Sequence, residues 1–219
     1  LVELKEAKIR GVNSFGMICA PSEVGFEKAE CVDNGIWDLT ELTSAAAGVS
    51  FVDAFDMDDV LFDIEVTSNR VDSMSIVGLA REAGASLGSE FDFKAPELPK
   101  VSGKSISVQV EELGLCPRYM ATVVKNIKVG PSPLWMQKKL LLAGYRPINN
   151  IVDITNYILH EYGQPLHTFD LDKLEGGLVV RLAKKGEKIL TLDDIEYELS
   201  EKNLIIADSQ KPIAIAGVM

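Results

Sequence analysis

The stretch from Gly144 to Asp170 constrains the fold and the chemistry of this chain more than any other part of the sequence. Its apolar residues recur at the three- and four-residue spacing of one helix face: Ile151, Ile154, Ile158 and Tyr162. That helix is expected to end at Gly163, because glycine adopts the left-handed conformation of a helix C-terminus and Pro165 prevents the helix from resuming. His167 is therefore expected on a loop.

Uncharged polar side chains occupy this helix at positions where solvated helices usually carry Lys and Glu: Asn149, Asn150, Thr155 and Asn156. Polar groups on a packed helix, facing a loop histidine, are typical of a small pocket with positioned hydrogen-bonding groups. The alternative is structural, with Asn149 or Asn150 capping the helix and His167 bonded to a loop carbonyl. The composition of the stretch leaves both interpretations open.

Length and composition place the chain among folded, soluble proteins. Its 219 residues are 47% hydrophobic and include only 9 prolines, which is enough for one large domain or two or three small ones. No apolar run is long enough to cross a bilayer, and the N-terminus does not resemble a signal peptide. Cys19, Cys31 and Cys116 form no CxxC pair, which favours reduced thiols in the cytoplasm. The chain starts at Leu1 and stops at Met219 in mid-pattern, which indicates an excised fragment.

The net charge of −11 argues against nucleic acid as a partner, but the charge is unevenly distributed. Residues 1–110 contain 9 Lys and Arg against 19 Asp and Glu, a net of −10, whereas residues 111–219 contain 13 against 14, a net of −1. The second half can therefore present a local basic face. Its candidates, each of which is alternatively an ordinary solvated cation, are Lys138, Lys139, Arg146, Arg181, Lys184 and Lys185.

The first half of the chain is expected to hold short elements. Short strands are predicted within residues 4–20, and another strand is predicted at residues 61–66. A helix capped by Asp72 or Ser73 should follow and end at Gly88. Its expected buried face comprises Ile76, Ala80, Ala83 and Leu87. Residues 92–104 have the composition of a linker.

The second half is expected to be α+β with a mostly antiparallel sheet. A strand is predicted at residues 106–110, and the β pattern continues through residues 118–129. Ser132 should cap a helix that ends at Gly144, ahead of the pivotal helix. Hairpin strands are then predicted at residues 178–183, 188–192, 196–199, 203–207 and 213–218.

Several familiar chemistries are excluded by spacing. Gly103-Lys104-Ser105 resembles the end of a phosphate-binding loop, but Leu98 occupies the position of the required first glycine. There is no dinucleotide-binding glycine motif and no serine nucleophile elbow. Only two histidines occur, without a nearby cysteine, so no metal site is expected. If the chain catalyses a reaction, the expected nucleophile is water.

Long strings of this sequence resemble the β subunit of bacterial phenylalanyl-tRNA synthetases. The strings that resemble its editing module are WMQKKLLLAGYRPINNIVDITNYILHEYGQPLHTFD, EGGLVVRLAKKGEKILTLDD and LIIAD…PIAIAGVM. The upstream string SNRVDSMSIVGLAREAGASLG resembles the small domain that precedes this module. AKIRGVNSFGMICAPSEVG is similar to the end of the family's OB-fold tRNA-binding domain. The resemblance implies three segments: residues 1–57 from the OB-fold, 58–95 from a small strand-helix domain, and 96–219 from the editing module.

The resemblance also implies a proofreading hydrolase that releases tyrosine from mischarged tRNA-Phe. Arg146 and His167 match its catalytic positions. Arg146 would clamp the terminal adenosine of the tRNA or the ester region, and His167 would orient or partly deprotonate water, or hold the terminal ribose. The residues that match the substrate-binding positions are Thr155, Asn156, Pro165, Ala214, Ala216 and Gly217, of which the last three would form a wall opposite the helix. In the family, a glycine-rich segment and a glutamate that reads the tyrosine hydroxyl follow the position of Met219.

The implied partners are the acceptor end of tRNA-Phe, tyrosine and the α subunit of the synthetase, in the cytoplasm and without a membrane. ATP and magnesium belong to the parent ligase, and no cofactor is expected in this chain, which contains no synthetic-site motif. Three alternatives stay open: a non-catalytic module that binds the tRNA acceptor end, a free-standing aminoacyl-tRNA deacylase, and a scaffold for a partner subunit.

Overall fold

The computed structural model describes residues 5–26, 35–40, 42–100, 103 and 105–217. The chain divides into two compact units, each built from two stretches of sequence. The first unit comprises Leu1–Lys94 and Lys128–Thr168, and the second comprises Ala95–Ile127 and Phe169–Met219. The three segments expected from the sequence stay a prediction.

The first unit begins with a hairpin followed by an aromatic cluster. Strands β1 (Ala7–Ile9) and β2 (Val12–Ser14) pair antiparallel around Gly11, in agreement with the short strands predicted there. Four aromatic rings contact one another at centroid separations of 4.7 to 6.1 Å: Phe26, Trp37, Phe51 and Phe55. Phe51 is the first residue of the short helix α1 (Phe51–Ala54), and Phe55 is its C-cap. The core of this segment is therefore aromatic.

Helix α2 (Ile76–Leu87) begins later than the sequence predicts. A 3-10 turn at Val71–Ser73 precedes it, and Ser75 caps the helix by accepting a hydrogen bond from the amide of Gly78 at 3.0 Å. The predicted cap at Asp72 or Ser73 is wrong, because both residues belong to the 3-10 turn. The C-terminus at Gly88 is confirmed, with φ of 68°.

The face that α2 buries also differs from the expectation. The four residues of the predicted buried face are all exposed: Ile76, Ala80, Ala83 and Leu87. The helix is buried instead at Gly78 and Gly84. A side-chain carbon at Gly78 would lie 1.8 Å from the carbonyl oxygen of Asp72, so the preceding turn packs directly on the helix backbone. Small residues, and not large apolar ones, make this contact.

Helices α3 (Leu134–Leu142) and α4 (Asn150–Tyr162) are the longer elements that follow in the same unit. Pro133 occupies the N-cap position of α3 without a side-chain hydrogen bond, so the predicted cap at Ser132 is wrong. The Ser132 hydroxyl bonds to the Asp153 carboxylate instead. The end of α4 at Gly163, which has φ of 75°, agrees with the prediction.

The second unit carries the strands β3 (Val108–Val110), β4 (Leu178–Leu182), β5 (Lys188–Leu190), β6 (Glu196–Glu198), β7 (Leu204–Ala207) and β8 (Pro212–Ile215). Four of them form one sheet in the order β3-β4-β7-β8, in which only the β3–β4 pair is parallel. β5 and β6 form a separate antiparallel hairpin. The prediction of an α+β chain with mostly antiparallel pairing is confirmed.

The larger sheet is covered by apolar side chains on both faces. Ile205 and Ile206, which are 0% and 1% exposed, point to opposite faces because side chains alternate along a strand. Ile205 packs with Ile189 and Leu199, and Ile206 packs with Leu178, Val180 and Ala214. The β5–β6 hairpin thereby contributes to one of these two clusters.

Two predicted strands are wrong. Residues 61–66 and 118–129, all within the described ranges, are not assigned to a strand. Their side chains alternate or are β-branched as in a strand, but a strand also needs a neighbouring backbone to bond with. Many of their apolar side chains are exposed, among them Leu61, Phe62, Met120 and Val124.

The described part of the chain also bears on the thiols and on membranes. Cys19 and Cys116 are free thiols, and Cys31 lies outside the described residues. Within the ranges given above, none of the helices has the length and apolar character needed to span a membrane.

Candidate functional site

The N-terminus of α4 is held by two asparagine amides. The Asn149 side chain caps the helix, since its Oδ1 accepts hydrogen bonds from the amides of Ile151 and Val152, both at 3.0 Å. Asn150 donates from Nδ2 to the carbonyl oxygen of Lys128 at 2.9 Å, and its Oδ1 accepts from the amide of Gly130 at 3.3 Å. The structural interpretation of Asn149 as a cap is confirmed, and the side-chain oxygens of Asn149 and Asn150 both accept hydrogen bonds from the backbone.

Asp153 is the most buried polar residue of this region, and sequence reasoning assigned it no role. It is 0% exposed, and its carboxylate accepts hydrogen bonds from the Ser132 hydroxyl at 2.5 Å and from the Ile148 amide at 2.8 Å. The sequence does contain a signal for a buried acid at this position, because Asp153 lies between Ile151 and Ile154 on a helix with an apolar face. The carboxylate joins α4 to the segment before α3 and to the loop that carries Arg146.

A second polar side chain is buried beside this network. Gln137 on α3 is 4% exposed, and its Nε2 donates to the carbonyl oxygen of Ser132 at 2.6 Å. Its Oε1 has no hydrogen-bond partner among the described residues. The bond from Gln137 fixes the backbone of Ser132, whose hydroxyl in turn bonds to Asp153. The start of α3 and the N-terminal half of α4 are therefore held as one polar assembly.

Arg146 lies in the exposed loop between α3 and α4. Gly144, with φ of 82°, ends the turn after α3, and the buried Pro147 follows Arg146. The guanidinium of Arg146 makes no hydrogen bond or ion pair with any residue that the structure describes. An unpaired guanidinium on an anchored loop can bind a carboxylate or a phosphate through two parallel hydrogen bonds.

Thr155 and Asn156 lie in the middle of α4 and are half-buried. The Thr155 hydroxyl donates to the carbonyl oxygen of Val152 at 2.7 Å, which leaves its oxygen able to accept a hydrogen bond. The Asn156 amide has no hydrogen-bond partner within the described residues. Thr155 and Asn156 therefore keep hydrogen-bonding capacity for a ligand.

Beyond Gly163 the chain forms an exposed loop that carries Pro165 and His167. The Gln164 side chain donates from Nε2 to the carbonyl oxygen of Pro165 at 3.1 Å. A helix of the length of α4 spans about 20 Å. The loop with Arg146 precedes its N-terminal end, and the loop with His167 follows its C-terminal end. Thr155 and Asn156 lie between them, and both flanking loops must turn toward the helix middle to meet at one substrate.

The three remaining predicted residues lie in the second unit. Ala214 on β8 is 5% exposed and packs in the cluster of Leu178, Val180 and Ile206, and Ala216 packs against the same cluster. Gly217 follows in a turn with φ of 76°. The expectation that these three form a wall opposite α4 stays a prediction.

The predicted basic face is reduced by ion pairing. Arg181 forms a two-pronged pair with Glu187, at 2.7 and 2.9 Å, and this hydrogen-bonded guanidinium lowers the pKa of Glu187 to about 2. Lys138 pairs with Asp56 at 3.0 Å. Lys139 lies 6.0 Å from the ring centroid of Trp135. Lys139 also lies 5.8 Å from the ring centroid of Tyr157 on α4. Arg146 and Lys139 are therefore candidate cations near α4 without an acidic partner among the described residues.

Within the described ranges, no group of three or more His, Cys, Asp or Glu side chains is placed to hold a metal ion. The groups around α4 are instead suited to hydrogen bonding and to binding an anion.

Comparison with known proteins identifies both a domain and close relatives. Residues 115–219 match the family model described as the B3/4 domain. The whole chain is 47% identical to the phenylalanine–tRNA ligase β subunit of Carboxydothermus hydrogenoformans, covering 100% of this chain and 27% of the relative. The corresponding subunit of Synechocystis is 45% identical with the same coverage, and that of Vibrio cholerae is 46% identical over 99% of this chain and 27% of its own length. The chain thus spans about a quarter of the length of these relatives.

Proposed function

Because the chain belongs to the family of phenylalanine–tRNA ligase β subunits, we propose that it forms part of such a ligase and carries its proofreading site. The reaction would be hydrolysis of the ester that joins tyrosine to the 3′ end of tRNA-Phe. The observation that supports it most is a pair of polar groups on and beside α4 that make no hydrogen bond or ion pair within the described residues: the Arg146 guanidinium and the Asn156 amide. The B3/4 domain match includes both of these residues.

A ligase for phenylalanine needs such a site because tyrosine differs from phenylalanine by one hydroxyl group. An apolar synthetic pocket rejects an added hydroxyl by only about 10²-fold, as in the comparable case of valine and threonine. A second site can select the hydroxyl positively, since a buried polar group without its partner costs about 1–3 kcal/mol. Phenylalanine would leave such a site unsatisfied and would be released intact.

The residues around α4 divide into binding and reacting roles in this proposal. Arg146 would hold the phosphate or the terminal ribose of the tRNA, and Thr155 and Asn156 would bond to the amino acid. His167 would orient the water that attacks the ester carbonyl, because an imidazole ring can both accept and donate a hydrogen bond. The new bond joins water oxygen to the carbonyl carbon, the ester bond to the ribose oxygen breaks, and that oxygen takes up a proton.

Pro165 would support this loop beside the substrate. The small residues Ala214, Ala216 and Gly217 would leave room for the aromatic ring. In the parent protein the α subunit and tRNA-Phe are the proposed partners, and the proposed location is the cytoplasm. ATP and Mg²⁺ would serve the ligation reaction elsewhere in the parent, and no residue of this chain is assigned to either.

The test is deacylation of preformed Tyr-tRNA-Phe by the full-length β subunit assembled with its α subunit. We expect His167→Ala to lower the rate by about 100-fold or more, the usual effect of removing a group that handles protons. Arg146→Ala should raise KM. The matched controls are His160→Ala, which removes the other histidine, and Lys185→Ala, which removes an exposed cation; both should keep the wild-type rate.

Rates equal to wild type in both His167→Ala and Arg146→Ala would contradict the assignment of the site. Salt-dependent binding of tRNA without hydrolysis would identify a binding module instead.

A further inference from the structure

The C-terminal end of α4 rests on residues 74–93, which lie upstream of the matched B3/4 domain but in the same compact unit. A side-chain carbon added at Gly163 would lie 3.4 Å from Cβ of Ser75 and 3.9 Å from the carbonyl oxygen of Met74. On the preceding residue, the Tyr162 ring meets Phe93 edge-to-face at 6.1 Å. The last turn of α4 is thus contacted by both ends of this upstream segment.

Ser75 is itself held in place by its role in α2. It is 8% exposed, and its hydroxyl accepts the hydrogen bond from the Gly78 amide that caps the helix. Gly78 packs closely against the carbonyl oxygen of Asp72, and there is no room for a side chain between them. Ser75 therefore faces Gly163 from an anchored position, within van der Waals reach of a carbon added at that glycine.

Arg70 fixes the turn from which α2 starts. Its guanidinium bonds to both carboxylate oxygens of Asp72, at 3.1 and 2.9 Å, and to Glu82 on α2 at 2.6 Å. It also lies 3.3 Å from the hydroxyl of the buried Ser73. Such half-exposed pairs contribute little to stability, so their main effect is on geometry. They link the 3-10 turn to α2 on either side of Ser75.

We propose that Ser75 is a positioning residue for the hydrolytic site, acting through Gly163 on the loop that carries Pro165 and His167. This inference rests on the proposed function. Gly163 is the point from which that loop leaves α4, so a displacement of Gly163 moves the loop as a whole. Misplacement of a reacting group by about 1 Å can cost about 100-fold in rate.

Two substitutions at this residue separate the positioning role from the capping role. Ser75→Ala removes the capping hydroxyl but adds no volume at Gly163, so it should lower the urea midpoint of unfolding and leave kcat unchanged. Ser75→Asn keeps a good N-cap and adds volume on the side that faces Gly163, where a single carbon added at the glycine would already be in van der Waals contact with Ser75. It should lower kcat for deacylation of Tyr-tRNA-Phe by about 10-fold or more, with KM within about 2-fold. Ser86→Asn, the same substitution at an exposed position of α2, should behave as wild type.

Hydrogen exchange in the same full-length protein supplies a readout besides activity. Ser75→Asn should speed exchange in the peptide covering residues 163–168, and Ser75→Ala should speed it only at the start of α2. An unchanged kcat and unchanged exchange in Ser75→Asn, with an active wild type, would overturn the positioning role alone. An inactive wild type would overturn the proposed function, and the role of Ser75 with it.

Discussion

The two ends of α4 are held by different kinds of interaction. At the N-terminal end, Asn149, Asn150 and Asp153 make directional hydrogen bonds, and Asp153 is fully buried. At the C-terminal end, Gly163 closes the helix in a left-handed conformation and faces Ser75, which a carbon added at the glycine would contact at 3.4 Å. Hydrogen bonds hold the N-terminal end, and close packing around a glycine holds the C-terminal end.

This difference separates stability from activity along one helix. Buried hydrogen bonds are expensive to break, because a donor left without an acceptor keeps its full desolvation cost. A glycine contact costs less to disturb, but it controls where the following loop goes. We therefore expect substitutions at the Asp153 end to lower the free energy of unfolding. Substitutions at the Gly163 end should instead lower the rate of hydrolysis.

The largest effect is expected from Asp153→Ala. The substitution leaves the Ser132 hydroxyl and the Ile148 amide without their acceptor, so we expect a loss of about 2–4 kcal/mol in the free energy of unfolding. Urea denaturation of the variant measures this loss. Asp63→Ala, which removes an exposed carboxylate in the same unit, is the matched control and should change stability by less than about 0.5 kcal/mol. Equal stability of the two variants would show that the polar assembly does not hold this end.

A smaller effect on stability is expected from Gly163→Ala. The residue has φ of 75°, a conformation that costs an L-residue about 1–2 kcal/mol. Gly186→Ala is the matched control, because Gly186 has the same φ and nothing within 4 Å of an added carbon. The two variants should lose similar stability in urea, while only Gly163→Ala should lose deacylation activity. Full activity of Gly163→Ala would remove the functional distinction between the two ends of α4.

The smallest effect is expected on the pH dependence of stability, through the ion pairs of Arg70 with Asp72 and Glu82. Hydrogen bonds from the Arg70 guanidinium lower the pKa of both Asp72 and Glu82. A carboxylate whose pKa is lower in the folded than in the unfolded protein stabilises the fold at pH values above its unfolded-state pKa. This stabilisation is lost as the pH falls through the folded-state pKa. Arg70→Gln should therefore flatten the decline of stability between about pH 5 and pH 3. Arg10→Gln is the control, and an unchanged slope in Arg70→Gln would contradict this role.

Local signals predicted much of the fold. The hairpins after residue 178 are present because turn residues separate short β-branched runs, and Gly88 and Gly163 end their helices as expected. Residues 61–66 and 118–129 read as strands but form none, because pairing depends on a neighbouring backbone that the pattern does not reveal.

The residue types of the candidate site could be predicted from the sequence, but their hydrogen-bond partners could not. The run of Asn and Thr on α4 and the loop histidine were visible, but the sequence did not show that Asn149 caps the helix while Asn156 stays available. Asp153 was missed because its partner Ser132 lies 21 residues away and its role depends on complete burial. Ser75 was missed for the same reason, since its contact with Gly163 joins two distant parts of the chain.

The most direct test is the position of bound tyrosine in a crystal structure of the full-length protein soaked with the amino acid. We expect density for tyrosine in contact with Thr155 and Asn156, with the His167 loop beside its carboxyl group. Tyrosine bound elsewhere, with the space between Thr155 and His167 filled by protein side chains, would contradict a hydrolytic site on α4.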